Sequence, residues 1–251
     1  MGAETALSGW IVETLRFTVF PGTASTPPGI GTWRELIGEE PQDQISRPRD
    51  GLVQESGPHE GGRLTVSSQP TRLDLLFTAG ADDPTAASYP SAGPFPDAMA
   101  VFMAVADAWM GICPAVRRAA FGAVVVRPVP DLVEGNRRLS ELVSALQIDP
   151  AAVSDLFFQV NRPRASTVAA RETRINRLSK WSVATVHVAT VSVAGEEAQL
   201  DQHPLGVVLR VEVDVNTAGD SDTQFQGDQL RSVWQELTAM GSEILEKGDI
   251  P

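Results

Sequence analysis

Hydrophobic and polar positions alternate most regularly near the end of the chain. Val207, Leu209, Val211, Val213 and Val215 interleave with Val208, Arg210, Glu212, Asp214 and Asn216. Side chains alternate across a strand, so this stretch predicts a strand with one apolar and one largely charged face. Such a strand suits an antiparallel sheet that is packed on one side and wet on the other. Turn formers fill residues 217–222, and Thr223 with Gln226 matches a capping box at a helix start. Leu230, Val233, Trp234, Leu237, Met240, Ile244 and Leu245 then recur at helical spacing as one stripe, and Gly248 stands where a helix stops. The pattern predicts a helix laid across the apolar face of the strand.

A weaker copy of this order lies nearer the middle. Leu73, Leu75 and Phe77 alternate with Arg72, Asp74 and Thr78, and a loop with Asp82 and Asp83 follows. Asp97 to Met110 then reads as a helix carrying Met99, Phe102, Met103, Ala106 and Trp109. The shared order is what an internal duplication of a strand-strand-helix unit would leave, and also what two ordinary units would show.

The remaining pattern fills in around these units. Trp10 to Phe20 predicts a strand with Leu15, Phe17 and Val19 on one face. Pro21 to Gly62 reads as a long polar loop, inside which Thr32 to Ile37 forms one capped helical turn. Arg63 to Thr78 predicts a hairpin broken near Gln69-Pro70. Val116 to Arg127 predicts a strand stopped by Pro128 and Pro130, with Gly122 marking a bulge or a close contact. Asp131 to Leu146 predicts a helix, and Asp149-Pro150 ends it. A boundary placed there divides the chain into an N-terminal lobe, 1–149, and a C-terminal lobe, 150–251. Leu156 to Asn161 and Trp181 to Val193 predict two further strands. In the second, apolar residues change face between Val183 and Val191, which predicts a bulge or a sheet covered on both sides. Gly195-Glu196-Glu197 opens a loop to the last strand. The expected fold class is α+β, with antiparallel sheet, single or split in two, and helices on one face.

Composition narrows the function. The chain has 251 residues and a net charge of −12, which repels nucleic-acid phosphate and anionic membrane unless a local basic patch intervenes. The single cysteine, Cys113, forms no internal disulfide and fits a reducing cytoplasm. No run of about 18 apolar residues predicts a spanning helix, and the N-terminus lacks the pattern of a signal peptide.

Few chemistries survive inspection. His59, His187 and His203 are scattered, no G-x-S-x-G elbow occurs, and neither a P-loop nor a dinucleotide fingerprint is present. Residues 214–225 overlap the spacing of a calcium loop but place Ala218 and Phe225 at ligand positions. No catalytic residue, cofactor site or metal site is therefore assigned. The strongest candidate is the basic segment Arg162, Arg164, Arg171, Arg174, Arg177 and Lys180, in which Glu172 is the one carboxylate. Guanidinium groups suit bidentate contact with carboxylate or phosphate, and the same groups can equally neutralise acidic residues of the chain itself. Trp33 is the second candidate, either plugged onto the body or docked on a partner.

The order of parts, Arg117-Arg118-Ala119-Ala120-Phe121-Gly122, Phe158-Gln159-Val160-Asn161 and Ile175-Asn176-Arg177-Leu178 together resemble a sporadically distributed family of uncharacterised bacterial α+β proteins. The resemblance implies a two-lobed α+β shape and carries no catalytic residues. The resulting expectation is a non-enzymatic cytoplasmic interaction or assembly protein that binds a protein partner or itself. The alternative is a nucleic-acid-associated protein using residues 162–180, and an enzyme with an unrecognised carboxylate site is a third reading.

Overall fold

The computed structural model describes residues 7–22, 32–80, 89–169, 172–194, 197–219 and 223–250. The strands are β1 (Ile11–Pro21), β2 (Asp43–Arg47), β3 (Leu52–His59), β4 (Gly62–Gln69), β5 (Arg72–Ala79), β6 (Val116–Val129), β7 (Phe157–Asn161), β8 (Arg164–Ala165), β9 (Arg174–Ala194) and β10 (Glu197–Thr217). The helices are α1 (Thr32–Ile37), α2 (Phe95–Ile112), α3 (Leu132–Leu142) and α4 (Asp228–Lys247). All ten strands form one antiparallel sheet in the order β2-β3-β4-β5-β1-β6-β10-β9-β7, with β8 also on β9. The helices pack on one face of it, as the α+β reading expects. The boundary near residue 150 falls between α3 and β7, and β6 pairs with β10 so that one sheet crosses it.

The core sits between sheet and helices. Phe17 of β1 and Phe121 of β6 rise from the sheet to meet Trp234 of α4, with ring centroids 3.9 and 5.5 Å away. Trp109 of α2 stands edge-on to Phe17 at 5.3 Å. These are aromatic geometries that add to the burial of large apolar area. Two glycines let the layers close. A Cβ at Gly241 of α4 would lie 2.5 Å from Phe121, and one at Gly135 of α3 would lie 2.5 Å from Val183. α2 is long and apolar enough to span a bilayer by length and composition, contrary to the reading of the sequence. Here its Phe95, Phe102, Trp109 and Met110 are buried in the core.

Several elements differ from expectation, each for a local reason. Residues 43–59, read as loop, form the β2–β3 hairpin. Every residue of β2 is exposed, so no alternation marks it, and β3 buries Glu55, which accepts the Trp33 backbone N–H at 2.8 Å and the Gln44 side-chain amide at 3.0 Å. α3 stops at Leu142 rather than Leu146 because the Leu142 carbonyl accepts from the Asp249 N–H. The last helix starts at Asp228 rather than Thr223, since Phe225 exchanges both backbone hydrogen bonds with Val116 and is held extended. β9 begins at Arg174, seven residues before its expected start, because Arg177 and Ser179 occupy inward positions that sequence alone reads as polar. Its irregularity lies in the partner strand: Leu205 of β10 is the extra residue between Pro204 and Gly206. The β5–α2 and β10–α4 units both put the helix on the same face, as any strand-helix unit on this sheet would, so a duplication gains nothing from it.

Candidate functional site

The basic segment is tied to the end of α4. Arg162 grips Asp249 with both ends of its guanidinium, at 2.9 and 2.7 Å, and the hydrogen-bonded carboxylate raises its pKa. Arg164 reaches Glu243 at 2.7 Å, and Arg177 reaches the same carboxylate oxygen at 3.1 Å. Only 1% of the Arg177 side chain is exposed, so burial, reinforced by Arg164, lowers its pKa. Burial opposes the charge on Glu243, but Arg164 and Arg177 outweigh it and hold its carboxyl below the usual range. Ser166 and Thr167 bind Glu236, about two turns earlier in α4 than Glu243. Lys180 pairs with Glu212 at 3.3 Å on the opposite side of the sheet, Arg174 is exposed in β9, and Arg171 lies outside the described residues. The structure therefore brings Arg162, Arg164 and Arg177 together as an internal clasp. Trp33 is 2% exposed, packed against Gly57 of β3.

The face of the sheet away from the helices carries a second set of polar groups, which sequence reasoning did not assemble. In one cross-strand row stand Leu76, Arg16, Gly122, Asp214 and Leu178 from five adjacent strands. Gly122 leaves the floor open, and a Cβ there would lie 3.1 Å from Arg16 Nε. Arg16 thereby crosses β6 to reach Asp214 at 3.2 Å. The next row holds Lys180 and Glu212, with Arg210 bonded to both Glu212 and Glu13. On the other side Arg72 binds Asp74, which also accepts from Thr18, and Arg118 donates to Asn216 at 2.7 Å beneath the Phe20 ring. A cavity of about 280 Å3 lies over Gly122, and another of about 410 Å3 lies nearer Glu13, Val186 and Leu205. The alternation in single strands was legible, but the order of strands that puts Arg16 beside Asp214 was not.

The third feature is an arm. β10 pairs with β6 only from Val207 to Asn216, and β9 pairs with β7 only from Leu178 to Ser182. Among the described residues, Val186–Ala194 and Glu197–Gly206 therefore pair only with each other, as a two-stranded ribbon beyond the sheet. Thr185 and His187 on the helix side and Ala184 on the opposite face are already exposed at its root.

Among the described residues no group of three or more histidines, cysteines or carboxylates could hold a metal ion. Cys113 is buried, and burial pushes its thiol up to about 12, far from the reactive range. No protein-family model, curated protein or solved structure matches the chain.

Proposed function

We propose that the protein is a non-enzymatic interaction or assembly protein of the cytoplasm, and that it works through the β9–β10 arm. One observation supports this above the others: the arm extends past the sheet, and among the described residues no strand pairs with either of its outer edges. An isolated two-stranded ribbon is marginal in water and exposes rows of backbone donors and acceptors that template pairing with another chain. A sequence that retains such an arm has a use for it when it is covered. The nucleic-acid reading is weaker, because Arg162, Arg164, Arg177 and Lys180 already hold carboxylate partners.

The test is capture of partners by the tagged full chain and by a variant in which an Asn-Gly turn replaces residues 188–203, joining the paired His187 and Pro204. A stoichiometric protein that survives nuclease and is lost with the shortened arm is the expected result. Retention of every partner by the shortened chain, or a partner that vanishes with nuclease, would sink the proposal.

A further inference from the structure

We infer that β7 is a self-association edge: two copies of this chain pair β7 with β7, antiparallel about a twofold axis at Gln159, and join their sheets into one. The inference goes beyond the arm and does not depend on it.

Three observations lead to it. The first is an open edge. β7 closes one end of the sheet, and among the described residues no strand lies outside it. The strand at the other end, β2, carries Asp43 and Arg47, charges of the kind that keep an edge from pairing. Phe157–Asn161 carries no charge, and Phe157, at 65%, is the most exposed large apolar side chain among the described residues. An uncharged edge is also where two copies of net charge −12 meet with least repulsion.

The second is the direction of the backbone groups. The Arg162 N–H donates to the Arg177 carbonyl of β9 at 3.2 Å, and one register holds from Phe157 to Ala165 without a shift. Successive residues of a strand turn their backbone groups to opposite edges. Phe158 and Val160 therefore face β9, as Arg162 does, while Phe157, Gln159 and Asn161 turn their N–H and C=O groups outward. Pro163 is next in the outward series and has no N–H, so the usable edge stops before it. A symmetric antiparallel pairing that uses all three outward residues has its twofold at Gln159. Gln159 then meets its own copy, and Phe157 meets Asn161 of the second copy, for about six backbone hydrogen bonds.

The third is what that register brings together. On the helix side Phe158, already packed on the core, stands across from Val160 of the second copy, an aromatic and β-branched pair that the twofold makes twice. On the opposite face the exposed Phe157 lies diagonal to the exposed Pro163 of the second copy, and the two Gln159 amides meet at the axis. No residue of the paired stretch sets a charge against a like charge. Beyond it, the Asp155 end of each strand comes beside the Arg162–Arg164 end of the other, acid against base. The contact covers roughly 23 Å by 10 Å on each copy, or roughly 500 Å2 in total, the size of a weak, reversible interface. Because the two β7 strands run antiparallel, the arms, which leave the sheet beyond the Phe157 end, depart on opposite sides of the dimer.

Analytical ultracentrifugation of the full chain from micromolar to millimolar concentration tests this and should show a monomer–dimer equilibrium. Gln159→Pro removes an N–H that β9 does not use, so the Tm of the dilute protein should stay within a few degrees while the dimer disappears. Gln159→Lys and Gln159→Glu each set like charges across the axis and should each raise the dimer dissociation constant about tenfold or more. Mixing those two variants 1:1 should restore association as a heterodimer, because the charges then oppose. The shortened-arm variant should dimerise as the full chain does. A full chain that is monomeric at every concentration overturns the inference, as does a dimer that tolerates Gln159→Pro or a charge pair that gains nothing on mixing. A Gln159→Pro chain that unfolds would place that N–H in the β9 ladder and overturn the register. A dimer lost with the arm would assign self-association to the arm, and a monomer that captures another protein through β7 would replace the second copy; either result refutes the β7 pairing and leaves the interaction reading standing.

Discussion

At the residue scale the clasp at the end of α4 distributes charge unevenly, and its two sides should respond differently to mutation. Glu243 is shared by Arg164, Arg177 and Lys247. Removing it leaves the buried Arg177 without its ion-pair partner, and an uncompensated buried charge costs about 3–5 kcal/mol. Removing Arg177 leaves Glu243 with two cations, and a methionine fills the space. Urea denaturation should therefore show Glu243→Gln losing about 3 kcal/mol and Arg177→Met about 1 kcal/mol or less. The reverse order would show that Arg177, not Glu243, holds the clasp. A nearby glycine gives a sharper case. Gly248 caps α4 at φ 81°, and a Cβ there would lie 1.9 Å from the Leu142 carbonyl oxygen. Gly248→Ala should cost about 2 kcal/mol or more by strain and by displacing the Asp249–Leu142 hydrogen bond. Cys113 should resist alkylation at pH 8 until the protein unfolds, because burial keeps the thiol protonated. Which arginines would hold carboxylates was not legible, since Asp249 and Glu243 lie 87 and 79 residues from Arg162 and Arg164. Spacing in sequence reports neighbours only within an element.

At the element scale, strands with one apolar face were legible and strands without one were not. β1, β5 and the body half of β10 bury alternating apolar residues, Leu15, Phe17 and Val19, then Leu73, Leu75 and Phe77, then Leu209, Val211, Val213 and Val215, and that alternation locates them. β2 lies at the sheet edge with no buried residue, so nothing in its pattern could reveal it. The outer half of β10 was read as loop for the same reason: it pairs with β9 alone and no layer imposes a periodicity on it. A corollary concerns stability. Because β6 and β7 stop before the arm begins, the body's core is complete without it. Replacing residues 188–203 by an Asn-Gly turn should leave the Tm of the monomeric body within a few degrees of the full chain, measured at a concentration too low for association. A collapse of cooperative unfolding in that variant would show that the arm belongs to the folding unit and would remove the reason to regard it as a partner-binding device.

At the scale of the whole molecule, one core and one sheet run across the position near residue 150, and electrostatics acts on them as a unit. The net charge of −12 makes the compact state repel itself at neutral pH, and that repulsion eases as the pH approaches the isoelectric point near 4.7. Opposing it are carboxylates that ionise more readily in the folded chain than in the unfolded one. Hydrogen bonds from Arg137 and Arg138 hold Glu134 down to about 2. Burial works against the ionised form of Glu212 and Glu243, yet their cationic partners still lower both. A carboxylate with a lowered folded pKa stabilises the protein above its ordinary value and loses that contribution as the pH falls through the folded one. Self-repulsion therefore favours acid down to about pH 5, and the paired carboxylates disfavour it from about pH 4.5 downward. The Tm of the dilute protein should pass through a maximum near pH 5 and fall steeply toward pH 3. Glu243→Gln should flatten the acid limb, because one of the groups that must take up a proton is gone. A Tm that keeps rising to pH 3 would mean that relief of net charge outweighs every ion pair described, and the clasp would then fasten α4 by packing and neutral hydrogen bonds alone.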